Sequence, residues 1–96
     1  MPTVHLLVEG KVQGVFFRAT TKEVAKQLQV CGWVKNTSDN KVEIYATGSK
    51  EKLQQLIDWC KKGPPRAKVM NVTEKWLEDE IPFEHFFIKR EDGSEK

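Results

Sequence analysis

The order of strand-like and helix-like patterns along the 96 residues is the feature that most restricts the fold. Apolar and polar residues alternate in the first segment, apolar residues recur at helical spacing in the second, and alternation returns in the next two. A second helical pattern and two more extended segments follow. Alternation indicates a strand with one buried face, and helical spacing indicates an amphipathic helix. The predicted order is therefore β-α-β-β-α-β with a short extra strand at the end.

Turn and capping residues bound these elements. The predicted strands cover residues 3–10, 32–36, 42–48, 67–76 and 83–90. The first helix lies between 17 and 30, and a possible capping box at Thr20 and Glu23 would make it begin slightly later. The second helix begins after Ser49 as N-cap and ends at Gly63, which two prolines follow.

This order is that of the ferredoxin-like split βαβ arrangement. Right-handed crossovers make the first two strands parallel and leave room for the third strand between them. We therefore predict an α+β two-layer sandwich whose four- to five-stranded sheet is mainly antiparallel. Two helices cover one face of the sheet, and the other face is open to water. In the fourth strand, the apolar residues Ala67, Val69, Met70 and Val72 break strict alternation, which predicts a β-bulge.

The length allows one hydrophobic core, so we predict a single domain over 1–90 and a polar, flexible tail over 91–96. No apolar run approaches the length of a membrane span, and the N-terminus lacks a basic n-region. Cys31 and Cys60 are isolated, which is typical of reduced thiols, and we predict a monomeric cytoplasmic protein. The net charge of +2 is compatible with a small anionic substrate and too weak to indicate nucleic acid.

Two polar features are predicted to meet at one edge of the sheet. Parallel first and second strands place the loop 11–18 beside the residues Asn36 and Thr37. Gly14 in this loop permits the backbone geometry that turns successive N–H groups inward, and the start of a helix adds further free donors. Arg18 adds a permanent cation whose planar fork suits two phosphate oxygens. Taken alone, the pattern is a weak signal and favours an ordinary βα connection with a surface arginine.

Two longer segments carry a more specific signal. The segment from Gly10 to Arg18 reads GKVQGVFFR, and it resembles the first signature of the acylphosphatase family throughout. The segment from Gly32 to Asn36 reads GWVKN and resembles the start of the second signature, whose later positions Val42 and Gly48 also match. The one departure is Asn40, where that signature has glycine. Asn tolerates left-handed backbone geometry better than most residues, so we expect the same turn.

The resemblance implies hydrolysis of acyl phosphates, the mixed anhydrides of a carboxylic acid and phosphate. In that family, the arginine matching Arg18 and the loop amides matching Gln13, Gly14, Val15, Phe16 and Phe17 bind the phosphoryl group. The asparagine matching Asn36 orients the attacking water, and Thr37 beside it is a supporting residue. Carboxylate is a good leaving group, so positioning and charge stabilisation suffice, and no metal or other cofactor is expected. Inorganic phosphate and sulfate are expected to compete with the substrate.

Three other classes share this topology. An RNA-recognition module would stack bases on strand aromatics, but the third strand offers only Tyr45 beside the acidic Glu43. A metallochaperone would need a C-x-x-C pair after the first strand, which is absent. A catalytically silent domain is disfavoured because both Arg18 and Asn36 are retained. The sequence therefore predicts a metal-independent acyl phosphate hydrolase that binds neither nucleic acid nor membrane.

Overall fold

A computed structural model describes residues 1–78 and 84–90. Its strands are β1 (Thr3–Lys11), β2 (Cys31–Asn36), β3 (Val42–Thr47), β4 (Lys68–Leu77) and β5 (Phe86–Ile88), and its helices are α1 (Phe17–Leu28) and α2 (Lys50–Lys62). The predicted element order is confirmed. The predicted tail over 91–96 and the first residue of the predicted last strand lie outside the described residues.

The five strands form one sheet in the order β4-β1-β3-β2-β5. All neighbours are antiparallel except β2 and β5, which are parallel. Because β1 and β2 both run antiparallel to β3, they are parallel to each other, and their carboxyl ends meet at the same edge. The predicted ferredoxin-like α+β sandwich with a mainly antiparallel sheet is confirmed.

The core lies between the sheet and the two helices. Alternate residues of the central strands point toward the helices, and Val4, Leu6 and Ile44 among them are fully buried. From α2, Leu53, Leu56, Ile57 and Cys60 fill the other side at the predicted helical spacing. Burial of each such aliphatic side chain stabilises the fold by about 1.5–3 kcal/mol. Burial also raises the pKa of the Cys60 thiol, which keeps it protonated.

The opposite face of the sheet carries aromatic and charged residues. The rings of Trp33 and Tyr45 stack with their centroids 5.4 Å apart, and His5 meets Tyr45 edge-on at 5.1 Å. Glu43 accepts a hydrogen bond of 2.7 Å from His5 Nε2 and lies 3.6 Å from the ammonium of Lys35. These side chains therefore form ring contacts, a hydrogen bond and an ion pair with one another between neighbouring strands.

A β-bulge marks the point where β1 leads into the loop toward α1. Glu9 pairs with Asn71 and Gly10 with Val69, so Met70 is the extra residue of β4 and the predicted bulge is confirmed. Gly10 has a φ of 129°, and a Cβ there would lie 2.1 Å from the carbonyl oxygen of Lys68. Only glycine allows β4 to approach this closely, so the path of the chain into the loop depends on Gly10.

The sequence offers two starts for α1, one at Phe17 and a later one at the capping box, and the structure places the start at Phe17. Thr20 does not cap the helix. Its hydroxyl instead donates to the carbonyl oxygen of Phe16, four residues earlier, at 2.8 Å. The residue that stands at the N-cap is Phe16, in the left-handed conformation with a φ of 64°. This early start brings Arg18 into the first turn of α1.

Candidate active site

A cleft of about 330 Å³ opens at the sheet edge where β1 and β2 end. Both Arg18, from the first turn of α1, and Asn36, the last residue of β2, line it. The remaining lining residues are Val12, Gly14, Phe16, Phe17, Ala19 and Ile88. The parallel arrangement of β1 and β2 therefore brings together the two side chains that the sequence singled out, as the topology predicted.

The loop after β1 and the first turn of α1 supply most of the residues that line this cleft. Gly14 and Phe16 adopt left-handed geometry, with φ values of 74° and 64°. No side chain accepts a hydrogen bond at the Phe16 N-cap, and the first turn of α1 carries no acidic residue. The first N–H groups of a helix lack intrahelical acceptors, and the helix dipole makes their surroundings positive. This combination suits an anion.

The guanidinium of Arg18 adds a full positive charge to the same cleft. Its side chain is half-buried, and it makes no ion pair or side-chain hydrogen bond within residues 1–78 and 84–90. A cation without a protein counter-charge in a partly enclosed site attracts an anion more strongly than one on an open surface. The fork of Arg18 is therefore available to bind two oxygens of a phosphoryl group.

Asn36 presents an acceptor that the rest of the described chain leaves unsatisfied. Its Oδ1 is buried, yet no described residue donates a hydrogen bond to it. A buried acceptor without a donor costs about 1–3 kcal/mol. Such exceptions are rare in folded proteins and call for a physical reason. Oδ1 has almost no surface open to water as the amide stands, so a water in the cleft can donate to it only after the Asn36 amide turns toward the cleft, a rotation that breaks no described side-chain hydrogen bond.

Gln13 fastens the loop to the turn that follows β2. Its Nε2 donates to the carbonyl oxygens of Thr37 and Lys41, each at 2.9 Å. The side chain of Gln13 is thus used within the protein, and Val15 is buried in the core at 4% exposure. Neither side chain lines the cleft. The predicted contacts of Gln13 and Val15 with a phosphoryl group would have to come from their backbone N–H groups.

The hydroxyl of Thr37 makes its hydrogen bonds within the same turn. It donates to the Asp39 carboxylate and accepts from the backbone N–H of Lys41 at 3.0 Å. The bond from Thr37 is the main reason that the pKa of Asp39 is lowered. Thr37 therefore shapes the turn beside Asn36 and is not among the residues that line the cleft.

Asn40 adopts the geometry expected of a glycine position, with a φ of 68°. Lys41 closes the turn, and its ammonium lies 3.0 Å from a Glu9 oxygen and 3.4 Å from an Asp39 oxygen. The hydrogen bond to Glu9 contributes most to the raised pKa of Lys41. The charges around this turn are paired with one another, so they do not neutralise Arg18.

Ile88 and Ala19 line the cleft although sequence reasoning did not select them. Ile88 reaches it because β5 pairs in parallel with β2, with Ile88 opposite Val34. The alternation of Phe86 and Ile88 predicted a strand, but no local signal showed which strand it would join. Ala19 follows Arg18 in the first turn of α1 and carries no chemical signal of its own.

The described part of the chain offers no evident metal site. Within residues 1–78 and 84–90, no three His, Cys, Asp or Glu side chains come together as ligands. The lining of the cleft includes none of these residue types.

None of the described helices has the length and apolar character needed to cross a bilayer.

Replacing Gln13 by Ala is expected to loosen the cleft without removing a chemical group from it. The two lost hydrogen bonds connect the loop to the turn beside Asn36, and each contributes about 1 kcal/mol. We expect thermal unfolding to give a free energy of unfolding that is lower by about 1–3 kcal/mol. Turnover of the expected acyl phosphate substrate should fall about tenfold, because the loop and the turn beside Asn36 are no longer held in place. A control is Gln54→Ala, which removes one exposed hydrogen bond to Asp58 on α2. Equal effects in both variants would exclude a positioning role for Gln13.

The fold and the cleft define a small ferredoxin-like α+β protein whose cleft at one sheet edge is lined by a loop, the start of a helix and an arginine. The profile of the family described as Acylphosphatase matches residues 4–88. An acylphosphatase of Gloeobacter violaceus is 52% identical over 88 residues, which cover 90% of this chain and 91% of the relative. The chain therefore belongs to the acylphosphatase family, and the predicted resemblance is confirmed.

Solved structures agree with this assignment. The crystal structure of acylphosphatase from Bacillus subtilis superposes with a TM-score of 0.88 at 34% identity, and the match covers 90% of this chain and 96% of that one. The structure of an acylphosphatase from Coxiella burnetii gives a TM-score of 0.86 at 40% identity, covering 91% of this chain and 90% of that one. The likeness extends over nearly the full length of both proteins.

Proposed function

We propose that this protein hydrolyses acyl phosphates to a carboxylate and inorganic phosphate at the cleft between α1 and the end of β2, without a metal ion. Membership of the acylphosphatase family supports the reaction. The observation that carries the site is that one cleft contains both the Arg18 cation and the Asn36 oxygen, neither of which has a side-chain partner among the described residues.

Each part of the cleft has one task in the proposed reaction. The guanidinium of Arg18 and the N–H groups at the start of α1 hold the non-bridging phosphoryl oxygens and stabilise the charge that these oxygens carry. Asn36 Oδ1 accepts a hydrogen bond from water. This contact orients the water so that a lone pair of the water oxygen points at phosphorus. This is catalysis by positioning and electrostatics, which phosphoryl transfer mainly requires.

The step balances without a general base. The water oxygen forms a bond to phosphorus while the bond from phosphorus to the acyl oxygen breaks, and the electron pair leaves with the carboxylate. The water proton passes to a phosphoryl oxygen. An amide such as Asn36 cannot take that proton, and the described residues that line the cleft include no carboxylate or imidazole to do so. Carboxylate needs little protonation to depart, so the chemistry matches the side chains present.

The proposal includes a monomeric protein in the cytoplasm, formed by one domain over 1–90. One continuous apolar core supports a single domain. The free thiols of Cys31 and Cys60 fit a reducing compartment. Phosphate and sulfate fit the same anion site as competitors, because both present tetrahedral oxygens to a helix N-terminus.

A hydrolysis assay on benzoyl phosphate tests the proposed function. We expect release of benzoate and phosphate at the same rate with and without EDTA, because Arg18 and backbone N–H groups supply the positive charge. Inorganic phosphate and sulfate should inhibit competitively, since they occupy the same donors. Loss of turnover in EDTA, restored by Mg²⁺ or Zn²⁺, would contradict the metal-free mechanism. Noncompetitive inhibition would place the anion site outside the cleft.

A further inference from the structure

The cleft has an apolar rim whose main exposed member is Phe16. Of the four large apolar side chains that are most exposed in residues 1–78 and 84–90, Phe16 alone lines the cleft, and it is 71% exposed. Phe17, which follows it, is buried at 2% exposure, and its ring packs on Trp59 with centroids 5.3 Å apart. The ring of Phe17 is therefore committed to the core, whereas the ring of Phe16 is free to contact a ligand.

The backbone at Phe16 gives a second reason to look for a role. Its φ of 64° lies in the left-handed region, which a residue with a bulky side chain rarely adopts. The fold thus tolerates both local strain and an exposed phenyl ring at this place. Residues held in such geometry concentrate at ligand sites, where the surrounding structure keeps them in place.

The geometry of phosphoryl transfer places the acyl group on the side of the cleft away from Asn36. Attacking and leaving oxygens lie roughly in line through phosphorus. Water held by Asn36, at the end of β2, therefore directs the leaving carboxylate away from the β2 side. The lining residues outside β2 and β5 come from the loop and the first turn of α1, and the exposed apolar side chains among them are Phe16 and Ala19. Ala19 has only a methyl group, so Phe16 supplies the apolar contact.

Resting on the proposed function, we propose that Phe16 is a specificity-determining residue whose ring binds the acyl group. The enzyme accordingly selects acyl phosphates with a large apolar or aromatic acyl group over acetyl phosphate. An aryl acyl group gains from ring contact and from burial of its own apolar surface, and an acetyl group is too small to reach the ring. Arg18 and the N–H groups hold the phosphoryl end equally in both substrates.

The test compares kcat/KM for benzoyl phosphate and acetyl phosphate in the wild type, Phe16→Ala and Phe16→Leu. In Phe16→Ala we expect a loss of about tenfold for benzoyl phosphate, which corresponds to about 1.4 kcal/mol, and less than about twofold for acetyl phosphate. Phe16→Leu should fall between, because leucine keeps apolar area but no ring. Met70→Ala is the matched control, since Met70 is 80% exposed on β4 and does not line the cleft.

The inhibition constant for inorganic phosphate separates a specificity role from a structural one. It should be unchanged in both Phe16 variants, because the anion donors remain. A parallel loss on both substrates, or a weaker inhibition by phosphate, would overturn the inference and make Phe16 a support of the loop. An unchanged ratio between the substrates would overturn it as well. Failure of the wild type to hydrolyse either substrate would instead overturn the proposed function.

Discussion

Replacement of Arg18 by Lys is expected to lower kcat/KM for benzoyl phosphate by about 10³-fold, the lower end of what an arginine contributes to phosphoryl transfer. The charge is kept, but the planar fork is lost. An ammonium is a point donor on a flexible stem and cannot hold two phosphoryl oxygens in one geometry. Inhibition by inorganic phosphate should weaken as well, because Arg18 contacts the oxygens that phosphate shares with the substrate.

Arg66→Lys is the matched control for this substitution. Arg66 is exposed in the connection between α2 and β4 and does not line the cleft. This variant should hydrolyse benzoyl phosphate at the original rate, so the same chemical change is tested at two places. Because Arg18 makes no ion pair within the described residues, its replacement should leave the free energy of unfolding nearly unchanged. Retention of most turnover and phosphate affinity in Arg18→Lys would rule out the bidentate role.

The architecture could be predicted because it follows from local periodicity and from chain handedness. Alternation in β1, β2 and β3 and helical spacing in α2 depend only on which face is buried, and this pattern is visible in sequence. Right-handed crossovers then made β1 and β2 parallel. The convergence of Arg18 and Asn36 followed from that topology. The roles of these residues came from the resemblance to a family and remain predictions.

What sequence reasoning missed depends on contacts between distant segments. Gln13 donates hydrogen bonds to the carbonyl oxygens of Thr37 and Lys41. The spacing of residues in the sequence does not show that a side chain of one loop will bind the backbone of a second loop. Ile88 enters the cleft through a strand of three residues, too short to reveal its partner. The start of α1 at Phe17 was ambiguous because Phe16 is an unusual N-cap, with no side-chain oxygen to mark the boundary. Each of these features depends on tertiary contacts, which local sequence preferences do not show.

Replacement of Asn36 by Ala separates catalysis from binding and from stability. In the proposed mechanism Asn36 contacts the attacking water, whereas Arg18 and the N–H groups at the start of α1 hold the phosphoryl group. Turnover of benzoyl phosphate should therefore fall by about 10²–10³-fold, the scale seen when one positioned polar group is removed. The inhibition constant for inorganic phosphate should stay the same, because none of its donors has been removed.

The free energy of unfolding of Asn36→Ala should equal or exceed that of the wild type. Most substitutions at half-buried positions lower it. No described residue donates to the buried Oδ1 of Asn36, so the substitution leaves no described partner unsatisfied, and where no water donates to Oδ1 it also relieves a penalty of about 1–3 kcal/mol. A residue that costs stability and supports turnover is typical of an active site. Thermal unfolding measures this effect, and Asn71→Ala, at an exposed position of β4, controls for loss of a strand asparagine.

The three measurements on Asn36→Ala distinguish the possible roles of this side chain. Loss of phosphate inhibition together with turnover would make Asn36 an anion ligand, because both effects then come from one lost contact. A large loss of stability would make it a structural residue whose oxygen has a donor in the folded protein. Original turnover in a folded variant would remove it from the mechanism. Lost turnover with retained phosphate inhibition and retained stability is the outcome we expect, because only a residue that positions water combines all three.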